Sequence, residues 1–230
     1  SMLALTLQGK QVNKVMKKVL LYFMLMLLPS CVMAQNSRGR VNPSIYLTGA
    51  VPVVNGYVQF DKTYYVKNKS KAALMDSLRN YVQRELVDGE EQLPQARITE
   101  VSLDSGIIAA SIEEYMYFKR TNWQIHRVRF YYQLVFHVAD GQFDVTMRRL
   151  HYRYDPEVTA GEFNDDRRAE NWITDEAALT KNGTKLARVS GKFRSFTIDR
   201  KNEIFKGAAL ATGAVVKRKV TRVVEVESEE

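Results

Sequence analysis

Residues 125–154 read IHRVRFYYQLVFHVADGQFDVTMRRLHYRY, and the fold turns on this stretch. From Val128 to Val138 the even positions are Val128, Phe130, Tyr132, Leu134, Phe136 and Val138. The odd positions carry Arg127, Arg129, Tyr131, Gln133 and His137. Successive side chains on a strand point to opposite faces, so this is a strand over Ile125–Ala139 with one apolar face and one polar face. Asp140-Gly141 then supplies a tight turn, and a second strand over Gln142–Tyr154 returns antiparallel to the first. In that strand Phe143, Val145 and Met147 are odd whereas Leu150, Tyr152 and Tyr154 are even, which requires a register change near Arg148-Arg149. A β-bulge there keeps the apolar residues on a single face.

The same signals extend upstream. Strands are predicted over Arg97–Leu103 and Gly106–Phe118, joined through Asp104-Ser105-Gly106, and a first strand runs from Tyr57 through Val66 with an irregularity near Asp61-Lys62. Between them Ser70 caps a helix whose apolar stripe is Leu74, Leu78, Tyr81, Val82 and Leu86, closed by Asp88-Gly89. Downstream of Asp155-Pro156 and a polar loop through Asp166, residues 167–181 read as one helix with Trp172, Ile173 and Leu179 inward. Gly183 and Gly191 bracket a connection, Asp199 is the expected cap of a last helix through Phe205 and Leu210, and the tail from Val215 is expected to fray.

Strand, helix, four antiparallel strands and then helices exclude a doubly wound parallel sheet. The expected fold is α+β, a curved antiparallel sheet of about five strands with helices packed on one face. The stretch Gly56-Tyr57-Val58-Gln59-Phe60 leading into the Ser70 helix, with the later Gly191-Lys192-Phe193-Arg194 and Thr197-Ile198-Asp199, resembles the secreted proteins of Gram-negative bacteria that carry a domain of unknown function with a TBP-like fold, of DUF4468 type. The resemblance spans about residues 53–206. It implies a fold and a compartment, and it brings no activity and no functional residues. TATA-box proteins open a minor groove with a duplicated sheet of this kind; a single copy behind an export signal is not expected to meet DNA, and no nucleic-acid partner is expected.

The chain has 230 residues, 45% hydrophobic and 26% charged, the composition of an ordinary folded domain. Leu20–Val32 is an apolar run preceded by Lys17-Lys18 and followed by Val32-Met33-Ala34, the pattern of a secretory signal with cleavage after Ala34. The run is too short, and too interrupted by Pro29, for a membrane span. Met16 reads as the natural start, with residues 1–15 an upstream extension; 35–52 read as an exposed linker, 53–206 as the domain and 207–230 as the tail. Loss of residues 1–34 takes Lys10, Lys14, Lys17 and Lys18 and no acid, so the net charge falls from +8 to +4 and the basic balance carries little argument. It also takes the single cysteine, Cys31, which suits an oxidising compartment. Leu28-Pro29-Ser30-Cys31 keeps a second possibility open, a lipid anchor at Cys31. The expected address is the periplasm or outer membrane of a Gram-negative bacterium.

Catalytic patterns are thin. His126, His137 and His151 do not converge on regular strands, because His126 and His137 have opposite parity. Asp155, Glu157, Glu162, Asp165 and Asp166 cluster in one loop without the spacing of a calcium loop. Glu113 and Glu114 are adjacent on a strand and so point apart, and Ser190-Gly191-Lys192 lacks the glycine spacing of a phosphate loop. No cofactor, metal or catalytic residue is assigned. What remains is the polar strand face: Arg127, Arg129, Tyr131, Gln133 and His137, joined by Arg149 and His151 beyond the bulge, form a basic and aromatic platform for an anionic or sugar-like ligand or an envelope protein. The leading expectation is a non-enzymatic binding or accessory module. The alternative is a hydrolase of envelope polymers with carboxylates from the 155–166 loop.

Overall fold

A computed structural model describes residues 43–121, 123–154 and 167–214. The expected export segment, the expected acidic loop over 155–166 and the expected tail from Val215 lie outside the described residues. Seven strands form one antiparallel sheet: β1 (Val53–Val54), β2 (Tyr57–Tyr65), β3 (Arg97–Ser102), β4 (Ile107–Thr121), β5 (Gln124–Ala139), β6 (Gln142–Arg153) and β7 (Arg167–Arg168). Their spatial order is β1-β2-β6-β5-β4-β3, with β7 paired to β6. The two strands beyond the expected five are two-residue pieces, too short to show a sequence period. One of them, β1, is made by Asn55 and Gly56, both at positive φ (52° and 83°), which fold Val54 back onto Tyr57.

The β5–β6 reading holds in detail. Gln133 pairs with Arg148 and Tyr131 with His151, so two residues of β6, Arg149 and Leu150, oppose Tyr132 alone. Arg149 sits at φ 56°, and this bulge returns Leu150 and Tyr152 to the face already used by Phe143, Val145 and Met147. The even positions of β4 and β5 join those residues in the core with Val58, Phe60 and Tyr64 of β2. β2 pairs with β6 without interruption from Gln59 to Tyr65, so no irregularity marks Asp61-Lys62.

Helix α1 (Lys71–Tyr81) begins where Ser70 accepts from the Ala73 N–H. It continues into a wider turn over Val82–Val87 and lays Leu74, Leu78, Tyr81, Val82 and Leu86 on the sheet. The single helix expected over 167–181 is instead β7, α2 (Ala169–Trp172) and α3 (Asp175–Ala178). Ile173, at φ −120°, breaks the run, and Thr174 in extended backbone starts the second piece. Ile173 and Leu179 are buried as expected, while Trp172 is half-buried.

The last helix also differs from expectation. Helix α4 runs from Ser190 to Thr212, so Asp199 is not a cap but an exposed mid-helix residue that accepts from the Tyr46 hydroxyl at 2.7 Å. Phe193, Thr197 and Ile198 before it, and Ile204, Phe205, Ala208 and Ala209 after it, lie on one continuous buried stripe. Gly191 belongs to the first turn, and residues 207–212, read as tail, are helical up to Gly213 at φ 77°. Gly207 is required for packing, since a Cβ there would collide with the Tyr81 ring.

Residues 43–52, read as the end of an exposed linker, pack on the domain. Pro43–Tyr46 forms a turn of 3-10 helix, Val51 is buried, and the carbonyls of Tyr46 and Leu47 are held by Arg194, which has 0% of its surface exposed. Arg194 also donates to the Ile173 carbonyl at 2.8 Å and to Asp175 at 2.6 Å, while Asp175 accepts from the Gly49 N–H. The ten residues PSIYLTGAVP show neither a helical nor a strand period, so the guanidinium that orders them is visible only in three dimensions.

Candidate functional site

The core draws on one face of β4, β5 and β6, and the odd positions of β4 and β5 lie on the other. Register fixes what gathers on that outer face. Tyr117 lies opposite Arg127; Tyr115, Arg129 and Arg153 form the next row; Glu113, Tyr131 and His151 the next; then Ser111, Gln133, Arg148 and Gln59. Arg168 of β7 pairs with His151 and extends the same side. Two rows further along, His137 stands between Ile107 and Asp144, with Asp61 and Thr63 nearby on β2. The face is therefore basic at one end and acidic at the other.

Each residue of the sequence-derived platform has a definite place. The Arg127 guanidinium lies over the Tyr115 ring, 3.8 Å from its centroid, with the Tyr117 hydroxyl 3.5 Å away. Arg129 pairs with Glu113 at 3.5 Å; their side chains are 28% and 8% exposed. The Tyr131 and His151 rings stack 4.4 Å apart at 5°. Burial, with the Glu113 hydrogen bond added to it, raises the Tyr131 phenol pKa, and Arg129 opposes that rise. Gln133 accepts from Arg148 at 2.9 Å, which fixes the arginine across the strand. Arg149 projects from the bulge and is exposed. His137 shares the face but lies about 13 Å from Gln133 along the strand, beside Asp144 rather than the arginines. The basic end thus contains Arg127, Arg129, Tyr131, Gln133 and Arg149, without His137. It keeps His151, stacked on Tyr131, and gains Arg148 and Arg153.

His126 is on the other side of the sheet, against Phe118 (5.1 Å) and Tyr154 (6.1 Å), so the three histidines do not meet. Glu113 and Glu114 also point apart, as their adjacency requires. Glu114 enters the interior, where Arg200 of α4 grips it with two hydrogen bonds of 2.8 Å, Gln92 donates at 2.7 Å and the Tyr132 hydroxyl at 3.2 Å. Burial works against the Arg200 charge, but the hydrogen bonds and charge of Glu114 outweigh it and the net pKa shift is upward. This buried centre escaped sequence reading. Its signal was available, a carboxylate in the inward row between Ile112 and Met116, which demands a cation from elsewhere.

Residues 60–153 match the model of a family described as "Domain of unknown function (DUF4468) with TBP-like fold". The resemblance read from the sequence is therefore shown for that segment. A crystal structure of a DUF4468 family protein from Bacteroides ovatus is similar with a TM-score of 0.68 and 29% identity, over 78% of this chain and 99% of that one. A TBP-like protein from Parabacteroides distasonis is similar in fold, with a TM-score of 0.55 and 15% identity over 71% of this chain and 97% of that one. No curated protein matches the chain.

Proposed function

We propose that this chain is an exported envelope protein and a non-enzymatic binding module whose outer sheet face takes an anionic saccharide or a similarly charged partner. One observation carries the reading: the register brings Arg127, Arg129, Arg148, Arg153 and Arg168 onto one end of one face, with Arg149 exposed at the bulge beside them and Glu113, largely buried, the carboxylate among the described residues there. Guanidinium groups bind carboxylate, phosphate and sulfate through paired N–H donors. Here Arg127 is already flattened on Tyr115 and Arg148 is tethered by Gln133, so less side-chain freedom is lost on binding. The stacked Tyr131–His151 pair offers a flat ring surface beside those charges, suited to the face of a sugar. Export rests on the Lys17-Lys18, Leu20–Val32 and Val32-Met33-Ala34 pattern. Among the described residues no helix is long and apolar enough to cross a membrane.

Heparin serves as the probe for a sulfated saccharide. The variant combines Arg148→Ser, Arg153→Ser and Arg149→Asn, the last because asparagine tolerates the positive φ at that position. Arg129 stays in place, since removing it would leave the nearly buried Glu113 without its cation. The variant should leave immobilised heparin at clearly lower salt than the parent and melt at the parent temperature. Elution at the same salt refutes the platform. Mass spectrometry of the mature amino terminus tests the export half, with Gln35 or an acylated Cys31 expected and an intact leader in the cytoplasm contradicting it.

A further inference from the structure

A pocket lies on the helix side of the sheet, at the opposite face from the arginine rows. It encloses about 320 Å³ where the end of the β4–β5 hairpin meets the start of α4. Its walls are aromatic: Phe118 and Phe193 stand 4.6 Å apart, His126 lies 5.1 Å from Phe118, and Tyr154 lies parallel to His126 at 7°. Its rim carries Arg188 and Lys192, both exposed, and Val189, an aliphatic residue 54% exposed at the mouth. No carboxylate is among the lining residues described.

We infer that this pocket binds a small anion with a planar apolar body, an aryl carboxylate or aryl phosphate. The volume is at the lower end of small-ligand pockets and suits one ring with a charged substituent. Rings lining a concave surface recognise another ring by offset or edge contacts, each contributing beyond its buried area. Two cations at the mouth, with no acid among the described lining residues to neutralise them, select a negative head. The α4 dipole points the same way, because its first turn supplies Lys192 and Phe193. A merely structural aromatic cluster explains Phe193, which is buried, but it does not explain an exposed Val189 and two rim cations around an open space.

Phenyl phosphate is the probe, with phenol and inorganic phosphate as its two halves, and amide chemical shifts of the ¹⁵N-labelled chain as the readout. Phenyl phosphate should shift residues around Phe118, His126 and Phe193 saturably, and bind at least about tenfold more tightly than either half. Arg188→Ser with Lys192→Ser should weaken it about tenfold. Val189→Glu, which places an acid at the mouth, should weaken it as well and guards against a folding defect in the double variant. The Arg148, Arg149 and Arg153 variant should bind phenyl phosphate unchanged, which separates this pocket from the outer face. Shifts that do not saturate by about 10 mM, that survive both rim variants, or that vanish in the outer-face variant overturn the inference.

Discussion

Replacing Arg194 with methionine deletes four hydrogen bonds from a fully buried side chain while keeping most of its aliphatic bulk. The Nε–H to Tyr46 (2.6 Å), Nη1–H to Ile173 (2.8 Å) and Nη2–H to Leu47 (2.7 Å) contacts end on backbone carbonyls, and the Nη2–H to Asp175 (2.6 Å) ends on a carboxylate. Leaving the Tyr46 and Ile173 carbonyls without their charged donor costs about 1.5 kcal/mol each at the low end, about 3 kcal/mol together, while the Leu47 carbonyl keeps the Ala50 N–H. Asp175 is 36% exposed and keeps the Gly49 N–H, so its loss adds under about 1 kcal/mol. Burial of the methionine thioether returns about 1 kcal/mol. The net cost is about 3 kcal/mol, and for a domain of this size each kcal/mol lowers the melting temperature by about 2–4 °C, so a drop of about 6–12 °C is expected by circular dichroism. Thermolysin cleavage before Leu47 should accelerate in parallel, because Tyr46 and Leu47 are two of the released carbonyls. Asp175→Asn, which keeps an acceptor, should cost about 1 kcal/mol. A methionine variant within about 1 kcal/mol of the parent, or one that melts early while Leu47 stays protected, refutes the view that Arg194 pins the 43–52 segment.

The adjacent glutamates should separate cleanly in urea unfolding. Glu114→Gln weakens the bidentate Arg200 grip in the interior and should cost about 2–4 kcal/mol, while Glu113→Gln, facing the half-exposed Arg129, should cost under about 1 kcal/mol; the reverse order contradicts the face assignment. The phenols of Tyr81, Tyr132 and Tyr152 are all raised by burial above the unfolded value of 10.0. Their contribution to stability is complete below pH 10 and is lost as pH rises through the folded values, so absorbance at 295 nm and far-ultraviolet dichroism should change together above pH 10; buried phenols that titrate while the fold persists contradict this. Lys201 has the opposite sign, its ammonium pKa lowered by burial and then by Lys62. Stability tied to it is greatest above its unfolded value of 10.5 and falls as pH drops through the folded one, so Lys201→Met should raise the neutral-pH melting temperature, and a lower one would show that the contacts with Phe60 and Phe205 outweigh desolvation.

The sheet was legible because its determinants are local. Alternation from Val128 to Val138 has a period of two, Asp140-Gly141 fits a two-residue turn, and the parity switch between Met147 and Leu150 can be absorbed only by a bulge, which the positive φ of Arg149 realises. The same parity placed Arg127, Arg129, Tyr131 and Gln133 on one face, and adjacency alone sent Glu113 and Glu114 apart. Which strands become neighbours is not local. Arg148 and Arg153 enter the basic end, and His137 leaves it, through the register of β5 against β6, and β7 adds Arg168 from beyond residues 155–166.

The strand pattern, the turn residues and the α1 stripe thus follow from the amino-acid order, since each depends on neighbours a few positions apart. Tertiary structure alone decided which polar groups are paired inside. Arg200 reaches Glu114 across 86 positions, and Arg194 reaches Leu47 across 147. An inward charge announces that it needs a partner, but its identity depends on how helices and sheet come together, and that packing also made residues 43–52, the end of an expected linker, part of the domain.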